Sequence, residues 1–392
     1  MIDKKRKGSG KKTRIPLFFF LIILPPSLAC VVLLSFFFSN STVRMPLPIY
    51  EEIYSTTGDL HERIRKIDYS IYESLYRNGT QERNIFFLGV HPRHQNDHVW
   101  DFTELLIECP DVHSALNLQK IIIHDLTALG PEICPRNEKT AGSKIICHIF
   151  ARDFYTHKIV LRYDSHRESV KVLRPKIAII IDDLGYDLDM AFSFIRLDLP
   201  LSFSVLPSAP FTEVIVQEAN KEGRELILHL PMEPKNYPSV DPGPGTLFLS
   251  MDDHSIKLIL DQDLKQIRGA RGVNNHMGSS FTENRDKMLL VLKELKKRNL
   301  FYVDSRTTSG AVGYELARKI GLSAARRNVF LDNDLVPRAI KIQMERLLGK
   351  ARHSGDAIGI GHPHKETLHI LEEYYHRIKT EFQVVPVSEL VN

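Results

Sequence analysis

Two adjacent carboxylates, Asp182 and Asp183, end the unbroken apolar run Ile177–Ile181 and are followed by Leu184 and Gly185. Such a run is the pattern of a strand buried on both faces of a parallel sheet, and its C-terminal end opens where ligands bind. Two neighbouring aspartates there cannot both remain unpaired anions; a metal, a proton or a cation must compensate one of them. Four later segments also place reactive side chains directly after strand-like runs. They carry His229 in Leu228–Glu233, His276 in Gly272–Gly278, Asp304 and Arg306 around Ser305, and His362 in Gly359–His364. Each has a plain structural explanation: a helix cap, a core histidine, a tight turn or an ion pair. Their shared position at one set of strand ends is what favours a site.

One aspartate and two histidines are a usual ligand set for Zn²⁺ or a similar divalent ion with open positions. Such an ion lowers the pKa of a bound water from about 15.7 to about 7 and polarises a carbonyl. A second aspartate, free of the ion, can take the proton from that water, and a further histidine can protonate the leaving group. The combination describes metal-assisted hydrolysis of an amide or ester.

The elements that must position these groups are legible as alternation. Strand-like runs occur at 177–181, 201–206, 225–229, 270–273, 300–303, 322–325, 357–360 and 383–386. Between them, Ile256, Ile259, Leu260, Leu264 and Ile267 mark one helical stripe, and Met288, Leu292 and Leu295 mark another after a capping box at Ser280 and Glu283. Pro337 suits the first turn of a third helix, and Gly321 suits the end of one begun near Val312. Alternation of this kind predicts parallel β/α architecture, barrel-like or doubly wound.

Taken in order, these residues resemble the polysaccharide deacetylases, specifically their divergent branch in bacterial envelopes. Asp182-Asp183-Leu184-Gly185 is similar to that family's Asp-Asp-Gly motif with one residue inserted, and Leu201–Leu206 resembles its second strand. Gly223–His229 has the spacing of its Gly-His-Glu-Ile-Gly-Asn-His stretch. Ala357–His362 resembles its late strand ending in histidine, and Phe382–Leu390 its closing strand. The resemblance implies an α/β fold, an incomplete, distorted (β/α) barrel, over residues 174–392. It implies Asp182 as general base, Asp183 and His229 as metal ligands, and His362 as general acid. The family's second metal histidine is replaced by Glu233, so His276 is the preferred third ligand and Glu233 the alternative. The family's Arg-Pro-Pro-Tyr stretch is absent. Arg271 and Arg306 are candidates to replace its arginine, and Asp304 and Arg306 join Asp182 and His362 as candidate catalytic residues. The implied function is metal-dependent removal of N-acetyl or O-acetyl groups from an N-acetylated or peptidoglycan-like envelope glycan, most simply with Zn²⁺. The alternative from another class is a catalytically weak glycan-binding or scaffold protein that keeps the fold.

The 392 residues leave room for a second domain. The net charge of +4 is carried by a tail: residues 1–14 hold seven Lys or Arg and one Asp, a net +6, which leaves −2 for everything after. Nucleic-acid binding by the folded part therefore has no support. Residues 15–38 are uncharged, and 24 residues at about 1.5 Å each suffice to cross a bilayer core of about 30 Å. The basic flank predicts a single span with a cytoplasmic N-terminus and a periplasmic or otherwise extracytoplasmic catalytic domain. Residues 50–165 read as a small α+β module, with an amphipathic helix over 51–77, strands at 101–107 and 144–150, a helix around 112–118, and a strand near 158–163. His91, His94 and His98 there read as a solvated loop rather than a metal site. Cys109, Cys134 and Cys147 allow one disulfide without choosing the pair.

Overall fold

A computed structural model describes residues 58–95, 98–139, 142–163 and 174–392. The basic tail 1–14 and the predicted span 15–38 lie outside the described residues. No helix among the described residues is long and apolar enough to cross a membrane.

The C-terminal part is built on nine parallel strands, β6 (Lys176–Leu184), β7 (Ser202–Val205), β8 (Glu225–Met232), β9 (Ala270–Met277), β10 (Phe301–Asp304), β11 (Ala324–Arg326), β12 (Val329–Phe330), β13 (Asp356–Gly361) and β14 (Gln383–Val384). Their spatial order is β11-β10-β9-β8-β7-β6-β13-β12, with β14 also beside β6. β11 and β12 are not paired, so the sheet curls into a half-barrel rather than a closed barrel. The chain leaves β6 on one side through β7–β11 and returns on its other side through β12 and β13. The C-terminal end of β6, which carries Asp182 and Asp183, therefore lies at a switch point, where a crevice opens. Ile177, Ile179, Ile180 and Ile181 are all fully buried, as a strand covered on both faces requires.

The crossover helices of this sheet include Leu188–Arg196, Thr212–Lys221, Asp253–Gln266, Arg285–Lys297, Gly313–Lys319, Pro337–Ser354 and Lys365–Glu381. Pro337 opens its helix as expected, and Gly321, at φ +67°, ends the turn after Gly313–Lys319. The capping box predicted at Ser280 does not form. Ser280 and Phe281 donate their backbone N–H groups to the Glu233 carbonyl, residues 281–283 make a 3₁₀ turn, and the Asn284 side chain caps the next helix through Lys287 N–H.

N-terminal to this, a five-stranded sheet has the order β1-β2-β5-β4-β3. It comprises β1 (Ile85–Gln95), β2 (His98–Glu108), β3 (Ile133–Lys139), β4 (Lys144–Ala151) and β5 (Phe154–Arg162). Helices α1 (Gly58–Arg77) and α2 (Val112–Ala128) bury Ile67, Ile71, Leu118 and Ile122 against it. The expected loop around His91, His94 and His98 is instead the β1–β2 hairpin, with Gln95 opposite His98. The side chains of His91 and His94 are not among those described. Cys109, Cys134 and Cys147 are free thiols.

Candidate metal centre

Strand register brings the site together. β13 runs beside β6 with Gly361 opposite Ile181, so His362 emerges next to Asp182. On the other side, β8 and β9 pair His229 with Asn274 and Pro231 with His276. The β6–β7 register slips between Ile181 and Leu184, and Asp183 takes φ +56° within that irregularity. An extra residue in a strand re-aims the side chains it carries. Here it turns both aspartates into the same crevice. Met277 and Arg306, just beyond His276 and at the end of β10, are likewise non-glycine residues at φ +51° and +52°. Strain of this kind is held by its surroundings and gathers where geometry matters.

Asp183, His229 and His276 form one buried cluster whose ligand atoms all lie within 4.8 Å of one another. Asp183 Oδ1 is 2.8 Å from His229 Nε2 and 2.9 Å from His276 Nδ1. These approaches lack hydrogen-bond alignment: among the described residues, both Asp183 oxygens and His276 Nδ1 are buried without a hydrogen-bond partner. Orphaned buried acceptors are costly. A carboxylate and two imidazole nitrogens converging on one point are the donor set that a divalent cation satisfies. The residues present therefore fit a metal ion.

Asp182 and His362 flank the cluster. Asp182 Oδ2 lies 3.8 Å from His229 Nε2, and His362 Nε2 lies 3.9 Å from Asp183 Oδ2. Both oxygens of Asp182 accept from Asn274 Nδ2, at 2.8 and 3.0 Å. His362 Nδ1 is 2.7 Å from Asp332 Oδ1, and the His362 backbone N–H donates to Asp332 Oδ2. Thr367 Oγ1 also donates to Asp332 Oδ2. Burial raises the pKa of Asp182 above the usual carboxylate range against the pull of His229 and His362. Burial opposes ionisation of Asp183 too, but the His276 and His229 imidazoles outweigh it and hold that carboxyl far below its ordinary value. Asp332 is also kept low, because the His362 imidazole outweighs its burial. His229 is raised despite burial, chiefly by Asp182 and Asp183. Neighbouring carboxyls with opposite shifts are suited to different tasks.

Other expected residues sit elsewhere. Glu233 is not in the cluster: its Oε2 accepts from Leu249 N–H, and its carbonyl holds Ser280 and Phe281. It pins the loop between β8 and the following helix, which explains a carboxylate there. Asp304 accepts from the backbone N–H groups of Arg306 and Tyr314, so its hydrogen bonds run to the β10 loop and the next helix rather than to the cluster. Arg306 is half-buried after β10, and its carbonyl accepts from Arg327. Arg271 is exposed near the start of β9, five residues and roughly 16 Å of strand before His276. That position does not suit it to replace an active-site arginine.

Two residues in the site were missed in the sequence. Asp332 follows a strand of only two residues, too short to announce a strand end. Asn274 carried a signal that was available: an amide inside a strand otherwise patterned for burial on both faces.

A family model described as divergent polysaccharide deacetylase matches residues 179–391. An uncharacterized protein of Escherichia coli K12, YibQ, is 32% identical over 224 residues, covering 57% of this chain and 70% of that one. An uncharacterized Haemophilus influenzae protein is 30% identical over 222 residues, covering 57% and 79%. Among solved structures, an uncharacterized Agrobacterium tumefaciens protein, ATU2773, superposes with a TM-score of 0.53 at 26% identity, covering 55% of this chain and 89% of that one.

Proposed function

This chain belongs to the divergent polysaccharide deacetylase family, and from that premise we propose that it removes acetyl groups from an N-acetylated envelope glycan by metal-assisted hydrolysis. The observation that carries the reading is the buried Asp183–His229–His276 cluster, its acceptors lacking hydrogen bonds, with a second carboxyl and a third imidazole on its edge. A divalent cation held there, Zn²⁺ in the simplest case, supplies Lewis acidity toward the acyl carbonyl and makes water nucleophilic near neutral pH.

The chain's own residues do the rest. Asp182, outside the ligand set and raised in pKa by burial, takes the proton of the attacking water. His362 gives a proton to the departing amine; Asp332 holds its Nδ1 and so leaves Nε2 facing the cluster. Arg306, half-buried just after β10, is the remaining cationic candidate. Residues 174–392 act as the catalytic domain, residues 50–165 as an accessory module and residues 15–38 as an inner-membrane anchor, which places the chemistry outside the cytoplasm.

The test is acetate release from N-acetylated glycan oligomers by the full chain supplied with Zn²⁺, with metal content measured on the same sample. Wild type is expected to bind one equivalent and release acetate, and Asp182→Asn to keep the metal and lose at least about 10²-fold in rate. Stoichiometric metal with no hydrolysis of any envelope glycan overturns the enzyme reading in favour of a scaffold.

A further inference from the structure

Asn274 touches both halves of this chemistry. It is fully buried in β9 directly opposite His229. Besides its contacts to both Asp182 oxygens, Nδ2 lies 3.3 Å from Ser305 Oγ. At its other end Oδ1 is 2.9 Å from His229 Nδ1 and 2.6 Å from Ser204 Oγ. The orientation of the amide follows from these neighbours. Carboxylate oxygens accept, so the end facing Asp182 is the NH₂ group. The opposite end is then an oxygen, which can only accept, and both groups facing it must donate. His229 therefore carries a proton on Nδ1. Its Nε2, 2.8 Å from Asp183 Oδ1, is the one ring nitrogen at which a cation can take the place of a proton.

We propose that Asn274 is the positioning residue of this site: one rigid amide plane sets the tautomer of His229 and fixes Asp182 relative to it. The inference rests on the reading of Asp183, His229 and His276 as cation ligands. The chemistry of the position is restrictive. A lysine or arginine would hold Asp182 but could not accept from His229 Nδ1. An aspartate would accept from His229 but would face Asp182 with a like charge. A hydroxyl is too short to span both partners in fixed geometry. A neutral side chain with a donor end and an acceptor end on one short plane meets all the constraints, and it couples the two groups so that neither moves alone. Such outer partners govern metal affinity through ligand orientation.

The experiment uses full-length protein with ¹⁵N-labelled histidine and one equivalent of Zn²⁺. The His229 resonances are expected to show a protonated Nδ1 and a ligated Nε2. Coordination through Nδ1, or a protonated Nε2 in the loaded protein, overturns the proposal. Asn274→Leu is expected to weaken Zn²⁺ binding by about 10–100-fold. Asn274→Asp keeps an acceptor for His229 and is expected to bind Zn²⁺ within a few-fold of wild type while its acetate release collapses, because Asp182 then faces a carboxylate. Wild-type affinity in Asn274→Leu also overturns it, and if that variant does not fold, the wild-type spectrum decides alone. If the tautomer and the affinity loss are as expected but no glycan is deacetylated by wild type, the deacetylase reading fails and the role of Asn274 stands.

Discussion

Asp332 grips His362 twice: one carboxylate oxygen lies 2.7 Å from the ring Nδ1 and the other accepts the backbone N–H of the same residue. Ring and backbone are thereby oriented by a single side chain that Thr367 steadies in turn. Asp332→Asn replaces one acceptor with a donor and so favours the wrong face of the imidazole toward the crevice. We expect kcat for acetate release to fall by about 10²–10³-fold, with Zn²⁺ affinity unchanged because Asp332 does not touch the cluster. A variant with wild-type kcat would remove His362 from the proton-donor role.

The third ligand is decided by a pair of substitutions. His276→Ala removes a member of the buried cluster and is expected to lose Zn²⁺ binding by at least about 10²-fold. Glu233→Gln is expected to retain it, since its carboxylate is occupied by Leu249 N–H and the amide oxygen can still accept there. Metal content after dialysis reads both. Metal lost from Glu233→Gln and kept by His276→Ala would reverse the assignment.

What could be read in the sequence was whatever left a local pattern. The β6 aspartates, His229, His276 and His362 each follow a run long enough to declare a strand, and the structure gathers all of them in one crevice. The parallel β/α architecture was legible for the same reason, while the choice of an incomplete barrel over a doubly wound sheet came only from the family resemblance. The roles of Asp304 and Glu233 were not, because each is defined by backbone N–H groups of loops that alternation says nothing about. Asp332 was hidden behind a two-residue strand, and the Asn274–His229 pairing is a property of sheet register. The β1–β2 hairpin was missed because Pro92 and the polar run after it mimic a loop, while Phe102 and Trp100 on the partner strand supply the pairing.

Asp263 provides a test of stability against pH. It is 2% exposed, its Oδ2 has no hydrogen-bond partner, and burial pushes its pKa up to about 7. In the unfolded chain the group titrates near about 3.9. Between these values the unfolded state has lost the proton and the folded state keeps it. The contribution of Asp263 to stability is therefore fully present below about pH 4 and is lost as pH rises to about 7. Asp263→Asn is expected to be nearly neutral at pH 4 and stabilising by about 2–4 kcal/mol at pH 8, measured by urea unfolding. A difference that does not change with pH would show that Asp263 titrates normally in the folded protein.

A buried ion cluster is one of the links between the two sheets. Arg346, on the helix Pro337–Ser354, pairs with Asp68 of α1, and His157 Nε2 of β5 lies 3.0 Å from the same carboxylate oxygen. Asp68 and Arg346 are 9% and 5% exposed. Burial opposes ionisation of Asp68, but Arg346 outweighs it and holds the carboxyl below its usual range. Arg346→Met leaves that charge without its main partner and is expected to cost about 3–5 kcal/mol. Replacing both members, Arg346→Met with Asp68→Leu, removes the stranded charge and should recover most of the loss. A double variant no more stable than Arg346→Met would mean that packing around the guanidinium, which lies 5.4 Å from the Phe87 ring, rather than charge pairing, holds α1 to this helix.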